Sequence, residues 1–189
     1  ASDVYKRQII KNLKRFHFAG ASITMPFKAI VYRYLDALDE SSKCTEVVNT
    51  VVIDEDGRLI GYNSDGFGCV RSLEEQCGLT IPDHRYLILG AGGAASAVSA
   101  ALARQGAKDI KILNIKDDFA IAEKLQRRLE MFYPGCSSID YMNDCTIKSS
   151  LGDYDVVIHA TKIGMFPMTD AVLFNTRWLL PEHTVCDVV

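Results

Sequence analysis

Two stretches of this chain bring together residue types suited to chemistry. In "YLILGAGGAASA", Gly90, Gly92 and Ala95 fall at the G-x-G-x-x-G/A spacing, after an apolar strand and at the opening of a small-residue helix. Gly90 permits a tight turn, Gly92 lets backbone N–H groups approach a pyrophosphate, and Ala95 allows helix and strand to pack closely. The helix N-terminus then faces the phosphate charge, so the arrangement points to dinucleotide binding. The next strand ends in "LNIKDD". No acid sits at the strand end itself, but Asp117 and Asp118 follow closely enough to accept from an adenosine ribose 2′-OH.

The second stretch is "GASITMPFKAIVYRYLDALD". Pro26 suits the first position of a helix, and Phe27, Ile30, Val31, Tyr34, Leu35 and Leu38 recur at helical spacing. Lys28 then lies in the first turn, where the macrodipole favours carboxylates over cations. Polar residues also gather beside apolar strands: Asn49 and Thr50 in "VVNT", and Asn63, Ser64 and Asp65 in "GYNSDGFG". Singly, each has an ordinary structural reading. Asn49 is a turn former, Asp65 a helix cap and Lys28 a solvated surface charge.

The elements that must position these residues follow from pattern. A short helix, a strand around Ala21–Thr24 and the Pro26 helix fill the first third. "VVNTVVIDEDGRLIGYN" reads as a hairpin, with β-branched alternation flanking an Asp-Gly turn. "SDGFGCVRSLEEQCG" starts a helix with Ser64 or Asp65 as N-cap and Gly78 near its end. "LTIPDHR" is the boundary. Beyond it, the strand "YLILG", a helix over Ala94–Gln105, the strand "DIKILNI", the helix "FAIAEKLQRRLEMF" and the strand "DYDVVIHAT" alternate. That alternation argues for a parallel sheet. The fold class is therefore α/β, with two units meeting near residue 82.

Composition removes other classes. The chain of 189 residues is 48% hydrophobic and carries a net charge of −3, so it has a globular core and no nucleic-acid footprint. The basic run "KRQIIKNLKR" reads as the exposed face of a helix. No apolar run approaches the roughly 18 residues of a membrane span, and no signal-peptide pattern opens the chain. Cys44, Cys69, Cys77, Cys136, Cys145 and Cys186 form no C-x-x-C pair, which fits reduced, cytoplasmic thiols. His17, His84, His159 and His183 are scattered, so no metal is expected. "CDVV" ends the chain on what reads as a buried strand. The leading "ASDVYKRQ" resembles translated adapter rather than protein, so residues 1–8 are expected to be foreign and both ends incomplete.

Taken together, "GASITMPFK", "VVNT", "GYNSDGFG", "GAGGAA" and "HATKIGM" resemble, in order and spacing, the shikimate dehydrogenase family, including its quinate/shikimate branch. The resemblance spans about residues 12 to 189. It implies an N-terminal substrate domain over 1–81, a Rossmann-like domain over 82–189, and a cleft between them. It also implies NAD(P)-linked reversible reduction of 3-dehydroshikimate to shikimate. By motif, Lys28 and Asp65 match the catalytic pair, and Thr24 and Asn49 match groups that bind substrate hydroxyls. Gly90, Ala91, Gly92, Gly93 and Ala94 match the phosphate loop. Asn114, Lys116 and Asp117 fall at the adenosine ribose, while Thr161 and Val188 fall on the nicotinamide side. A lysine at the positive end of a helix would have its pKa lowered from about 10.4 toward working pH, with Asp65 orienting it.

Departures from the family pattern are specific. Ser22 replaces an Asn, Ser64 a Thr, and His159 the Asn of Asn-Ala-Thr. The N-terminal Ser-x-Ser clamp and the C-terminal region with a substrate-binding Tyr and Gln are absent. NADP-using relatives end the second strand in Asn-Arg-Thr, whose arginine grips the 2′-phosphate. Here Asn114, Ile115 and Lys116 stand there, so NAD is expected to be preferred over NADP. The expected partners are a small-molecule substrate and no nucleic acid or membrane, in a monomer or homodimer. The alternatives are a non-catalytic quinate or shikimate sensor of the same fold and a methylenetetrahydrofolate dehydrogenase-like enzyme.

Overall fold

A computed structural model describes residues 3–167 and 169–188, with the side chains of residues 3–7 and 11 left aside. Ala1 and Ser2 of the leading segment lie outside the described residues. From there the chain forms helix α1 (Asp3–Arg15). Four short strands follow: β1 (Gly20–Ser22), β2 (Ala37–Leu38), β3 (Thr50–Ile53) and β4 (Leu59–Tyr62). They form one mixed sheet in the order β1-β3-β4-β2. β3 and β4 are the expected hairpin, with Thr50 opposite Tyr62 and Ile53 opposite Leu59. Asp54 closes its turn by accepting from the Arg58 N–H through its side chain at 2.7 Å. Ile10, Val31, Val48, Val51 and Leu59 bury a core between this sheet, α1 and the segment that precedes β2.

The Pro26 helix does not form. Residues 25–30 are turns, a single 3-10 turn covers Val31–Tyr34, and β2 pairs in parallel with β4. The backbone groups a helix would use internally are taken by other segments of the chain. The Val48 N–H donates to the Lys28 carbonyl at 2.9 Å, the Asp36 N–H to Leu59 and the Asp39 N–H to Gly61. The apolar spacing is still used, since Val31, Tyr34, Leu35 and Leu38 all pack on the same core. Periodicity thus marks the buried face from Val31 onward but misreports the backbone that presents it, and Phe27, at the start of the pattern, is 45% exposed.

A connecting helix α2 (Glu40–Lys43), capped by Asp39, leads to β3, and α3 (Asp65–Cys77) follows β4. Then comes the parallel sheet: β5 (Tyr86–Leu89), β6 (Ile110–Asn114), β7 (Ser137–Tyr141), β8 (Val156–His159) and β9 (Thr184–Asp187), in the order β7-β6-β5-β8-β9. Helices α4 (Gly93–Arg104), α5 (Phe119–Phe132) and α6 (Asp144–Leu151) make the crossovers. Every residue of β5 is buried, with Tyr86 and Ile88 in one core and Leu87 and Leu89 in another. A central parallel strand covered on both faces reads as an unbroken apolar run for this reason. β9 is a strand, as expected, but a half-exposed one, with Val185 50% accessible. Like β7 at the opposite end, it is an edge strand of this sheet and pairs with a strand on one side only among the described residues.

The two sheets are joined through α3 and α4. Cys69, Val70 and Leu73 of α3 share a core with Val98 and Leu102 of α4. The contact is close because Gly66 lies against the Ala97 carbonyl: a Cβ there would sit 2.2 Å from that oxygen. No helix among the described residues is long and apolar enough to cross a membrane.

Candidate active site

Lys28, Asn49 and Asp65 come from three separate segments and meet in one cluster. The Lys28 ammonium donates to Asp65 Oδ2 at 2.6 Å, and Asn49 Nδ2 donates to Asp65 Oδ1 at 2.7 Å. Asn49 Nδ2 also donates to Ser64 Oγ at 2.9 Å, while its Oδ1 accepts from Thr50 Oγ1 at 2.9 Å and from the Ser64 N–H at 3.1 Å. All four hydrogen-bonding positions of Asn49 are therefore engaged, which fixes which way its amide faces. Asn63, 3% exposed, anchors the backbone at Asp65. Its Nδ2 donates to the Val47 carbonyl at 3.0 Å and its Oδ1 accepts from the Asp65 N–H at 3.0 Å. The carboxylate is thus held by amide and cation at once, on a backbone that Asn63 fixes. Both side chains of the ion pair remain partly open, at 22% for Lys28 and 31% for Asp65.

Asp65, not Lys28, occupies a helix N-terminus. It opens α3 behind the N-cap residue Ser64, whose side chain makes no capping bond. A carboxylate there is favoured by the macrodipole. Lys28 lies in a turn before a single 3-10 turn, so the helix dipole invoked for it is absent. Its surroundings are set instead by Asp65. Thr24 is not drawn into this hydrogen-bonded cluster. It is exposed and lines an apolar groove of about 250 Å³ with Ile9, Ile10, Ile23 and Phe27.

The glycine loop approaches the segment that carries Asn49. A Cβ at Gly93 would lie 3.5 Å from Val47 Cγ1, and Val47 stands just before Val48 and Asn49. Gly90 has φ 106°, and a Cβ there would also approach the Ala160 carbonyl to 2.7 Å, so backbone and space both require glycine. Gly92 is different. It caps α4 at φ −69°, open to any residue, and a Cβ there would meet no protein atom within 4 Å. The protein's own packing does not call for glycine at that position. A bare backbone at the start of α4 suits a phosphate group, because the first-turn N–H groups of a helix have no intrahelical partner. The residues present fit a dinucleotide.

At the end of β6, Asn114 is 7% exposed and its amide donates to the Asp118 carbonyl at 2.8 Å. That bond shapes the 3-10 turn Lys116–Asp118, which leaves Lys116 and Asp117 exposed at the sheet's carboxyl edge. The strand order reverses between β5 and β8, which opens the crevice where open α/β sheets bind ligands. Thr161 lies at that point, its Cγ2 3.3 Å from a Cβ placed on Gly90. Val188 follows β9, its N–H donating to the His159 carbonyl at 3.0 Å.

Two polar residues here were not expected as site residues. His159 Nδ1 is 3.1 Å from Asp187 Oδ1, and its Nε2 is 2.8 Å from Thr161 Oγ1. The only sequence signal was the histidine in "HAT", and nothing linked it to Asp187, which reaches it by strand pairing of β8 with β9. Cys186 is likewise paired across the fold, its thiol 3.7 Å from that of Cys69 in α3. The hydrogen bond between the two thiols lowers the pKa of Cys186 and raises that of Cys69. Among the described residues, no cluster of His, Cys, Asp and Glu could hold a metal ion.

Comparison with known proteins agrees with this geometry. The family model of the shikimate dehydrogenase substrate binding domain matches residues 4–51. A curated relative, the shikimate dehydrogenase (NADP(+)) of Geobacillus sp. (strain WCH70), is 34% identical over 184 residues, covering 97% of this chain and 64% of the relative. The crystal structure of shikimate 5-dehydrogenase from Listeria monocytogenes, in complex with shikimate and NAD, superposes with a TM-score of 0.89 at 31% identity. It covers 100% of this chain and 66% of that one. Quinate dehydrogenase from Corynebacterium glutamicum, in complex with NAD, gives a TM-score of 0.81 at 28% identity, over 97% of this chain and 63% of that one. The chain thus spans about two thirds or less of the length of the relatives it matches. Motifs, topology and these likenesses agree: the chain belongs to the shikimate dehydrogenase family.

Proposed function

We propose that this chain carries the catalytic pair and cofactor-binding core of an NAD(P)-dependent dehydrogenase that interconverts 3-dehydroshikimate and shikimate, or their quinate counterparts. The observation that carries the reading is the Lys28–Asp65 ion pair at 2.6 Å, locked by Asn49, whose segment the glycine loop of a parallel sheet approaches. A bound nicotinamide supplies or takes the hydride. The protein's part is the proton at the carbinol oxygen, which Lys28 Nζ gives or receives while Asp65 aims the ammonium. Asn49 meets the substrate by exchanging its bond to the exposed Ser64 hydroxyl for one to a substrate hydroxyl. Thr24 contributes a second such contact from the segment that follows β1. We place the boundary between the substrate-binding and cofactor-binding parts near residue 82.

On the cofactor side, Gly90, Ala91, Gly92, Gly93 and Ala94 hold the pyrophosphate. Asn114, Lys116 and Asp117 surround the adenosine ribose, and Thr161 and Val188 line the nicotinamide. The relatives described above are named as dehydrogenases of shikimate or quinate, which supports this reading over a sensor or a folate enzyme. The test is shikimate-dependent reduction of NAD or NADP, followed by nicotinamide absorbance, in a chain extended to the length of its relatives. Absence of that activity overturns the reading.

The finer proposal is a preference for NAD. Ile115, 44% exposed, stands where an arginine fork would grip a 2′-phosphate, and Asp117 beside it would repel that phosphate. Ile115→Arg is expected to strengthen NADP binding by about 1.5–3 kcal/mol, the range for a hydrogen bond to a charged group. NAD binding should change little. Dissociation constants for both dinucleotides in the two proteins check this. Tighter NADP than NAD binding in the unmodified chain would show that Lys116 already grips the phosphate.

A further inference from the structure

His159 has no part in the proton transfer just described, yet both of its ring nitrogens are engaged at the switch point of the sheet. Asp187 Oδ1, 3.1 Å from Nδ1, is a carboxylate oxygen and can only accept. With the ring neutral, Nδ1 therefore carries the hydrogen and Nε2 is left as an acceptor. The group 2.8 Å from Nε2 is the Thr161 hydroxyl, which must then donate to it. Thr161 Oγ1 accepts from the Ile163 N–H at 3.0 Å. Its single hydrogen is used by His159, so the oxygen can offer a ligand only a lone pair. The charge on Asp187 thus reaches through the imidazole to decide whether Thr161 donates or accepts. Such orienting partners set the tautomer of a functional histidine in the same way.

We propose that His159 is a positioning residue which, held in the Nδ1–H tautomer by Asp187, presents Thr161 to the nicotinamide as a hydrogen-bond acceptor for the carboxamide N–H. This rests on the cofactor reading above. Thr161 lies against Gly90 at the β5–β8 crevice, while the ribose-reading turn lies after β6 on the other side of β5, so Thr161 belongs to the nicotinamide half.

The test uses three ligands: NAD, its 3-acetylpyridine analogue, which lacks the carboxamide N–H, and ADP-ribose, which lacks the nicotinamide altogether. The unmodified chain should bind NAD about 3–10-fold more tightly than the analogue, the worth of one neutral hydrogen bond. In Thr161→Val and in Asp187→Asn that ratio should fall toward one, with ADP-ribose affinity unchanged. Imidazole ¹⁵N shifts supply a signature that a purely structural role would not move. Neutral His159 should show the Nδ1–H tautomer in the unmodified chain and a mixture in Asp187→Asn, whose amide can donate as well as accept. If ADP-ribose binds but the ratio or the tautomer is the same in all three proteins, the inference is wrong and the cofactor reading stands. If ADP-ribose does not bind the unmodified chain, both fall.

Discussion

Lys28→Ala, in a chain extended to the length of its relatives, is expected to lower kcat by about 10²–10⁴-fold, the range for a positioned acid–base group. The proton that Lys28 passes is transferred only in the transition state, so the loss should appear in kcat more than in KM. Stability separates this effect from misfolding. The Lys28–Asp65 pair is partly open to solvent, at 22% and 31%, and such pairs contribute about 0–1 kcal/mol. The melting temperature should therefore drop by no more than about 2–4 °C. Steady-state kinetics and a thermal scan on the same preparation check both halves. A variant that keeps more than half of the original kcat, or one that loses its activity only through KM, would make Lys28 a binding group.

Gly66→Val is expected to cost stability and activity together. An added Cβ at Gly66 would lie 2.2 Å from the Ala97 carbonyl oxygen and 3.0 Å from the Ala101 Cβ, and valine adds two methyl groups beyond it. The obstacle is mainly helix backbone rather than a flexible side chain, so α3 and α4 must separate. Overpacking a close-packed core commonly costs 1–3 kcal/mol. Separating two helices that share one core should place this change at about 3–5 kcal/mol, with a fall in melting temperature of about 6–20 °C. Asp65 is the neighbouring residue and opens α3. Moving that helix also pulls the carboxylate from Lys28 and Asn49, so turnover falls even where the variant still folds. Thermal unfolding and kinetics measured below the new transition test this. A melting temperature within 2 °C of the original would show that the α3–α4 contact is looser than it looks.

Where sequence and structure agree, the signal was local and physically redundant. The parallel sheet was legible because a strand covered on both faces must be apolar throughout, as Tyr86 to Leu89 are. The helix Phe119–Phe132 coincides with the stretch read as the helix between the second and later strands. The glycine loop was legible from spacing, and Gly90 has the positive φ that its role requires. The hairpin over β3 and β4 followed from β-branched alternation around an Asp-Gly turn. Family motifs brought out Lys28, Asn49 and Asp65, which are ordinary residues when taken one at a time. Their types alone carried too little information to single them out.

What only the tertiary structure decided is how distant backbone segments compete for hydrogen bonds. The apolar spacing from Phe27 to Leu38 suggests a helix, but Val48, Leu59 and Gly61 take the carbonyls and N–H groups that helix would need. Lys28 consequently owes its setting to Asp65, 37 residues away in sequence, rather than to a helix dipole. His159 and Asp187 are 28 residues apart and meet because β8 and β9 lie side by side in register. Sequence periodicity records which side chains must be buried, because burial depends on the residue itself. It does not record which distant strand will satisfy a given backbone group, and in this protein that choice assembled the site.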